Sequence, residues 1–494
     1  MTNSTAFIGR ERELAALTRS LNTSQPGLIV VYGRRRVGKS TLLRRALQCV
    51  DAAYYQATRV SDLDNLELFK QAVMVVTGED PTLSSVKSWE GVLHYLAQRA
   101  TLRPRGLIVA LDEFPYLCEG NPALPSILQK IWDEVREGGI PLTLVLCGSR
   151  ISFMETLLAE RNPLHGRQSA EFIIQPLSYR DAARFAPRWS VEDRLRLYAV
   201  FGGMPYYLSL IDPKATLATN IQRLLIEDGA PLREEPIHLL QAELNQIARY
   251  ASILRAIADG CTQLKDIAGR VLATNESSSS LSPYIATLQG LRLVRTVASL
   301  DSRNGTRQRN ARYYLDDPFL AFYYHLILPN LSAIQAGHGK AVYRHAVAPQ
   351  LDQYVSGWFE AICQQWVRYY GSERLQSVAQ EVGKIWSADY DVDVAAKLLD
   401  GRRLAGECKW RHEATNAAVL QKLRAAAAAN SFYADDPAST LLLIFSRSPA
   451  TAELRRLAAK DRKVLLLTPA DLIGTQRRAR SRREDHEQRG RSVD

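Results

Sequence analysis

Apolar residues along this chain fall into two kinds of pattern, and the alternation between them lays out the elements. Leu28 to Tyr32, Leu107 to Leu111 and Leu142 to Cys147 are short unbroken apolar runs separated by longer amphipathic stretches. Parallel strands buried on both faces of an α/β fold look like this, so residues 1–175 read as one wound sheet. From Gln175 to Asp228 the period turns helical, over Ser178 to Phe185 and Val191 to Val200, and then reaches Gly202-Gly203-Met204-Pro205. Residues 176–235 are therefore expected to form a helical lid. Residues 236–335 show several short helices, then Tyr284 to Leu291 leading into Leu293 to Val297, a polar loop, and Ala311 to Leu315. Helices followed by a hairpin predict a winged helix.

A new core begins where Leu351, Tyr354, Val355, Trp358, Phe359, Ile362, Cys363, Trp366 and Val367 recur at helical spacing, which makes one buried face on a helix of about five turns. Gln376 to Trp386, Tyr390 to Leu398 and Arg403 to Trp410 read as strands, with Asp400-Gly401 as the hairpin turn between the last two. Ala417 to Ala429 is Ala-rich and helical, and the strands Thr440 to Phe445 and Lys463 to Leu467 follow. Residues 345–475 thus form a second α/β domain. Residues 476–494 hold seven Arg and four acidic residues with almost nothing apolar, the composition of a basic, disordered tail.

The composition agrees with several soluble domains. At 494 residues the chain exceeds what one core organises, and at roughly 100–200 residues per domain it holds three or four. The longest apolar runs, such as Leu441 to Phe445, fall far short of the ~18 residues that cross a bilayer. The N-terminus lacks a basic start followed by an apolar run, so no membrane partner is expected and the compartment is read as cytoplasmic. The six cysteines form no Cys-x-x-Cys pair and sit near no His cluster, which argues against structural zinc or a disulfide framework. A net charge of +11 is compatible with a nucleic-acid partner but does not by itself establish one.

The strongest chemical signal is Gly33-Arg34-Arg35-Arg36-Val37-Gly38-Lys39-Ser40, which fits G-x-x-x-x-G-K-[ST] between the strand Leu28 to Tyr32 and a helix from Thr41 to Leu47. Glycines let backbone N–H groups curl around a phosphate, and the helix N-terminus adds partial positive charge. Lys39 is expected to reach the β- and γ-phosphates of ATP, and Ser40 to ligate Mg²⁺. The run Leu107 to Leu111 delivers Asp112 toward the Mg²⁺ shell and Glu113 toward the attacking water. The strand Leu142 to Cys147 ends in Gly148-Ser149-Arg150, which makes Ser149 either a γ-phosphate sensor or a turn residue.

With these residues in place, the first half of the chain resembles the AAA+-like P-loop ATPases of archaea and bacteria, related to the STAND signalling ATPases and to origin-recognition ATPases. Phe7-Ile8-Gly9-Arg10-Glu11 resembles the box with which that family contacts the adenine. Pro163-Leu164-His165-Gly166-Arg167 and Gln175-Pro176-Leu177-Ser178-Tyr179 are similar to two further motifs, with His165 in place of the usual tyrosine. The resemblance implies nucleotide contacts from Phe7, Ile8, the loop from Gly33 to Thr41, and Pro205 of the lid. Arg167 is then either a γ-phosphate contact, in cis or from a neighbouring subunit, or half of a surface salt bridge.

Two further constellations concern DNA. The segment Arg292 to Arg312 carries six Arg against Asp301 alone. Arg303, Arg307, Arg309 and Arg312 could grip phosphates without sequence specificity, or the module could pack internally. In the last domain, the turn at Asp400-Gly401 pairs residues whose numbers sum to about 801, which sets Asp393 opposite Glu407 or its neighbour. Asp391 and Asp393 share a face, as do Glu407 and Lys409. Two carboxylates could hold a hard divalent cation, with Lys409 stabilising charge on a phosphodiester; the alternative is a solvated charged hairpin. Here the chain resembles the PD-(D/E)xK superfamily of restriction-endonuclease-like domains. Glu407-Cys408-Lys409 stands for its E-x-K, Asp393 for the preceding acid, Glu360 for the acid of the first core helix, and Gln421 for a looser match. The expectation is an ATP- and Mg²⁺-dependent ATPase controlling DNA binding or cleavage by a nuclease-like domain, alone, as a homo-oligomer or with a protein partner. The alternative is a STAND-like signalling or scaffold switch whose last domain binds without cutting.

Overall fold

The computed structural model describes residues 7–273, 276–302, 311–387, 390–434 and 439–474. It divides into two compact units. One holds the chain up to Leu177 together with Gly203–Ser209 and Leu239–Asn245, and the other holds Ser178–Gly202, Leu210–His238 and the chain from Gln246 onward.

The first unit is built on a five-stranded, wholly parallel sheet of β1 (Gly27–Tyr32), β2 (Ala52–Gln56), β3 (Leu107–Asp112), β4 (Leu142–Gly148) and β5 (Ala170–Ile173), in the order β2-β3-β4-β1-β5. Every position of β1, β3 and β4 is buried, as expected where helices cover both faces. These are the strands legible as apolar runs. The edge strand β2 alternates between buried and partly exposed positions, and β5 has no buried position at all, so no unbroken run announces them. Because β4 lies between β1 and β3, three strand ends line up along one edge of the sheet. Tyr32 pairs with Gly148 and Leu111 with Leu146. Ligands of open α/β sheets bind at this carboxyl edge. Helix α1 (Lys39–Ala46) follows β1, with Gly38 as its N-cap in the left-handed region.

The second unit takes in most of the segment expected as a lid, including α2 (Val191–Phe201). Three helices follow, α3 (Ile247–Ala258), α4 (Leu264–Val271) and α5 (Ser282–Gly290). They lead into an antiparallel pair, β6 (Val294–Val297) and β7 (Arg312–Leu315), with Val294 opposite Leu315. The long helix α6 (Leu351–Tyr369) buries Val355, Phe359, Ile362, Cys363, Trp366 and Val367. Tyr354 and Trp358, assigned to the same face from the sequence, remain partly exposed.

A mixed sheet completes this unit: β8 (Ala379–Trp386), β9 (Asp391–Leu398), β10 (Arg403–Lys409), β11 (Leu441–Ser446) and β12 (Val464–Leu467), in the order β12-β11-β10-β9-β8. β8, β9 and β10 form an antiparallel set, and β11 adds to β10 and β12 to β11 in parallel. Helix α7 (Ala417–Ala429) buries Leu420 and Leu423. The β9–β10 register pairs Arg403 with Lys397 and Gly406 with Val394, one residue short of the expected sum. The cause is the loop. Leu398 to Gly401 closes a four-residue turn, with Gly401 N donating to the Leu398 carbonyl, and Gly401 has φ 89°. A three-residue loop ending in a left-handed glycine replaces the expected two-residue turn. No helix among the described residues is long and apolar enough to cross a membrane.

Candidate functional site

The first candidate site forms where β1, β4 and β3 end. Gly33 passes so close to β5 that a Cβ there would stand 2.3 Å from the Ile174 carbonyl oxygen, which leaves glycine as the residue that fits. Lys39 is 4% exposed, and its ammonium donates to the carbonyls of Gly33 (2.9 Å) and Arg34 (3.1 Å). The charge is thus held over the loop rather than in solvent. Val37 and Arg34 are buried, Arg35 and Thr41 are exposed, and Gly38 and Ser40 are intermediate. A Cβ on Gly38 would meet Pro205 at 3.6 Å, and the Arg36 guanidinium lies 4.3 Å from the Tyr206 ring centre. Pro205 is therefore brought against the loop.

Asp112 is completely buried. Its Oδ2 accepts from the Tyr54 hydroxyl at 2.5 Å and its Oδ1 from the Glu113 amide at 3.0 Å. Burial, reinforced by the Asp112 charge, pushes the Tyr54 hydroxyl far above its ordinary pKa, so it stays a donor. Glu113 has φ 53° and ψ 43°, a left-handed conformation rare for a residue with a side chain. This conformation accompanies the pairing of its Oε2 with the Ser149 hydroxyl at 2.7 Å and the Ser149 amide at 3.3 Å. Ser149 is thereby joined to the acidic pair.

Arg167 and the N-terminal box each have defined partners here. The guanidinium of Arg167 is clamped in two-pronged fashion by Asp133, at 3.0 and 2.9 Å, with the His165 carbonyl at 3.4 Å. Its described partners lie outside the phosphate loop, so of the two readings the salt bridge is the one seen within this chain. Phe7 and Ile8 are half-buried, but the residue of that box with a defined link to the loop is Arg10. It is 6% exposed, takes φ 68°, and donates to the Val37 carbonyl at 2.9 Å.

Two residues of this site were missed from the sequence. Tyr54 lies on an edge strand without a motif. Glu243 comes from Leu239–Asn245, a stretch that groups with this unit despite its distance along the chain. Burial pushes the Glu243 carboxyl up to about 7, against the opposing pull of Arg150, Lys39 and Arg34, while Glu113 adds repulsion.

The second candidate site is on the C-terminal sheet. Continued one residue past its last pair, Gly406 with Val394, the corrected register sets Asp393 across from Glu407, and Asp393 Oδ2 accepts from the Cys408 amide at 2.8 Å. Glu407 pairs with Lys409, and Glu360 of α6 pairs with Lys384 of β8. Gln364 of α6 donates to the Asp393 carbonyl at 2.8 Å. Burial, then repulsion from Glu360, pushes the Asp393 carboxyl up to about 6. Glu407 is raised for the same reasons, burial first and Asp393 second. Two half-buried carboxylates that resist ionisation side by side are a donor set that fits a hard cation. Among the described residues, however, no group of three or more His, Cys, Asp or Glu side chains is arranged to hold a metal ion. Lys384 was missed from the sequence, where it reads as one polar position in an alternating strand. Gln421 is exposed on α7. Of the arginines expected to grip DNA, Arg303, Arg307 and Arg309 lie outside the described residues, as does the 476–494 tail. Arg312 stacks on Trp386, 4.5 Å from its ring centre.

Comparison with known proteins bears on both halves. Residues 7–211 match a family described as an ATPase domain predominantly from Archaea, and residues 323–420 match one described as archaeal and bacterial proteins of unknown function. An uncharacterized protein of Methanocaldococcus jannaschii is 29% identical over 409 residues, covering 82% of this chain and 88% of that one. Among solved structures, a Walker-type ATPase of Pyrococcus abyssi is 19% identical, with a TM-score of 0.50, 65% of this chain and 97% of that chain. The ORC2 protein of Aeropyrum pernix is 16% identical over 68% of this chain and 97% of that chain, at a TM-score of 0.43, a likeness too loose to argue from. The chain thus carries, over residues 7–211, a match to an ATPase domain on a P-loop ATPase fold and, over residues 323–420, a match to a family without assigned function.

Proposed function

We propose that this chain is an ATP-hydrolysing switch whose nucleotide state controls DNA binding or cleavage by its C-terminal domain. The observation that carries the proposal is the line of three strand ends: the Lys39 ammonium over the loop, Ser149 on the central strand, and Asp112-Glu113 beside it. Loop amides and Lys39 bind the triphosphate of ATP. Ser40 and Asp112 would hold Mg²⁺, which when bound neutralises charge on the β- and γ-phosphates. Glu113 orients the attacking water with the carboxylate oxygen that Ser149 leaves open. Ser149, sharing that contact, is placed to respond to the γ-phosphate. Pro205, packed on Gly38, carries the change in the loop to the segment it belongs to.

For the C-terminal domain, the order of α6, the antiparallel β8-β9-β10 and the parallel β11 supports a nuclease-like reading. The helices α3 to α5 with the β6–β7 pair support a winged helix. Asp393 and Glu407 would ligate a divalent cation, and Lys409 would meet the charge that develops on a phosphodiester. A second reading, a non-cleaving binding domain in a STAND-like switch, is favoured by one observation. Glu360 and Glu407 each have a lysine of their own. The test is incubation of the full chain with Mg²⁺ or Mn²⁺ and supercoiled, linear or single-stranded DNA, with ATP, a non-hydrolysable analogue or neither. The proposal expects cleavage that depends on nucleotide and is absent in Asp393→Ala. Retained DNA binding with no cut in any condition would establish the second reading instead.

A further inference from the structure

A cavity of about 290 Å³ is lined by residues of α3, the β6–β7 pair, α6 and β8, including the Glu360–Lys384 pair. That volume is at the lower end of small-molecule sites. Its walls have two characters. Tyr314, Tyr354 and Trp358 offer aromatic surface, and Tyr354 and Trp358 are residues of the expected α6 face that stay partly exposed. Arg295, His325 and Lys384 bring cationic or proton-binding groups, against Glu360 as the one lining carboxylate.

Each of these groups faces a carboxylate, but two of them make no hydrogen bond at the atom that faces it. Lys384 is matched by Glu360. Arg295 Nε is buried and makes no hydrogen bond, with Asp316 at 3.6 Å, and His325 Nδ1 is likewise buried and unbonded, with Asp259 at 3.5 Å. Buried polar atoms in native proteins are normally hydrogen-bonded, by protein, water or ligand. Gly357, an exposed residue of α6 that lines the cavity, leaves its opening clear, since a Cβ there would meet nothing within 4 Å.

The geometry points to this cavity as a binding site for a single nucleotide unit, with a planar base between the aromatic walls and a phosphate oxygen on Arg295 and His325. The choice of a nucleotide over another aromatic anion rests on the nuclease-like reading of the neighbouring centre, because Glu360 and Lys384 border both. Two sources share this chemistry, a free mononucleotide and the phosphorylated end of a strand. The site is separate from the phosphate loop.

Binding rather than cleavage tests it, so that loss of the nuclease reading and loss of the site remain distinguishable. The full chain carrying Lys39→Ala, in EDTA, is titrated calorimetrically with deoxyadenosine monophosphate, and with a short oligonucleotide with and without a 5′-phosphate. The site predicts saturable binding that Gly357→Leu and Arg295→Gln each weaken about tenfold or more. Gly357→Leu should leave the melting temperature undiminished, because it fills open space within a helix. Binding of the monophosphate supports a free ligand, and binding confined to the phosphorylated oligonucleotide supports a strand end. Absence of binding by all probes, or binding indifferent to both substitutions, overturns the inference.

Discussion

Glu113 carries the most specific chemical expectation at the scale of single residues. Its left-handed backbone and its bond to Ser149 hold one carboxylate oxygen and leave the other for water. Glu113→Gln should keep nucleotide affinity while lowering steady-state phosphate release by about 10²- to 10⁴-fold, the range of a positioned base; unchanged turnover would assign water activation to another group. Glu243 makes a prediction about pH. Its carboxyl is pushed from an ordinary 4.5 to about 7, so between those values the folded chain binds more protons than the unfolded one. Stability from this group therefore falls as pH rises through that window. Glu243→Gln should match the wild type near pH 4 and exceed it at pH 8 by about 1–2 kcal/mol, the shift discounted for the partly exposed site. Urea unfolding at both pH values checks this, and an equal difference at both would exclude titration of Glu243 as the cause. The sequence made Gly33 to Ser40, Asp112 and Glu113 legible because they are contiguous and follow apolar strands. Glu243 and Tyr54 were not, because neither lies in a motif and only the fold brings them in.

At the scale of elements, legibility followed burial. The central strands β1, β3 and β4 are apolar throughout and could be read directly, whereas β2 and β5, each partly exposed, could not. In the C-terminal domain, α7 was read with its observed ends, and β9 and β10 to within one residue. The register slipped by one because a dipeptide such as Asp400-Gly401 suits more than one turn, and only the backbone shows Gly401 taking the left-handed position that closes a three-residue loop. That position is testable. Gly401→Val should destabilise the chain by about 1–3 kcal/mol, since a β-branched residue is strained at φ 89°. A midpoint of urea unfolding equal to that of the wild type would show that the loop relaxes into another turn.

For the whole molecule, the functional claim rests on two units that the chain connects more than once. Segments Gly203–Ser209 and Leu239–Asn245 belong to the ATPase unit although residues on either side of each belong to the other. Pro205 and Glu243, both drawn to the phosphate loop, lie in those two segments. The nucleotide control proposed above would run through these segments, whose chain continues into the second unit. The prediction at this scale is that Asp393→Ala leaves ATP turnover within about twofold of wild type while abolishing any DNA cleavage, as sites in separate units behave additively; loss of both activities would contradict independent centres. This organisation was hidden from the hydropathy pattern, which shows elements but not which ones share a core.

The most direct test is titration of a fluorescent ATP analogue into the wild-type chain and into Lys39→Ala. The account predicts saturable binding to one site, displaced by ATP, in the wild type. In the variant it predicts loss of about two orders of magnitude in affinity, as removal of a buried charge-assisted contact to phosphate entails. Equal affinity in the two proteins would contradict it.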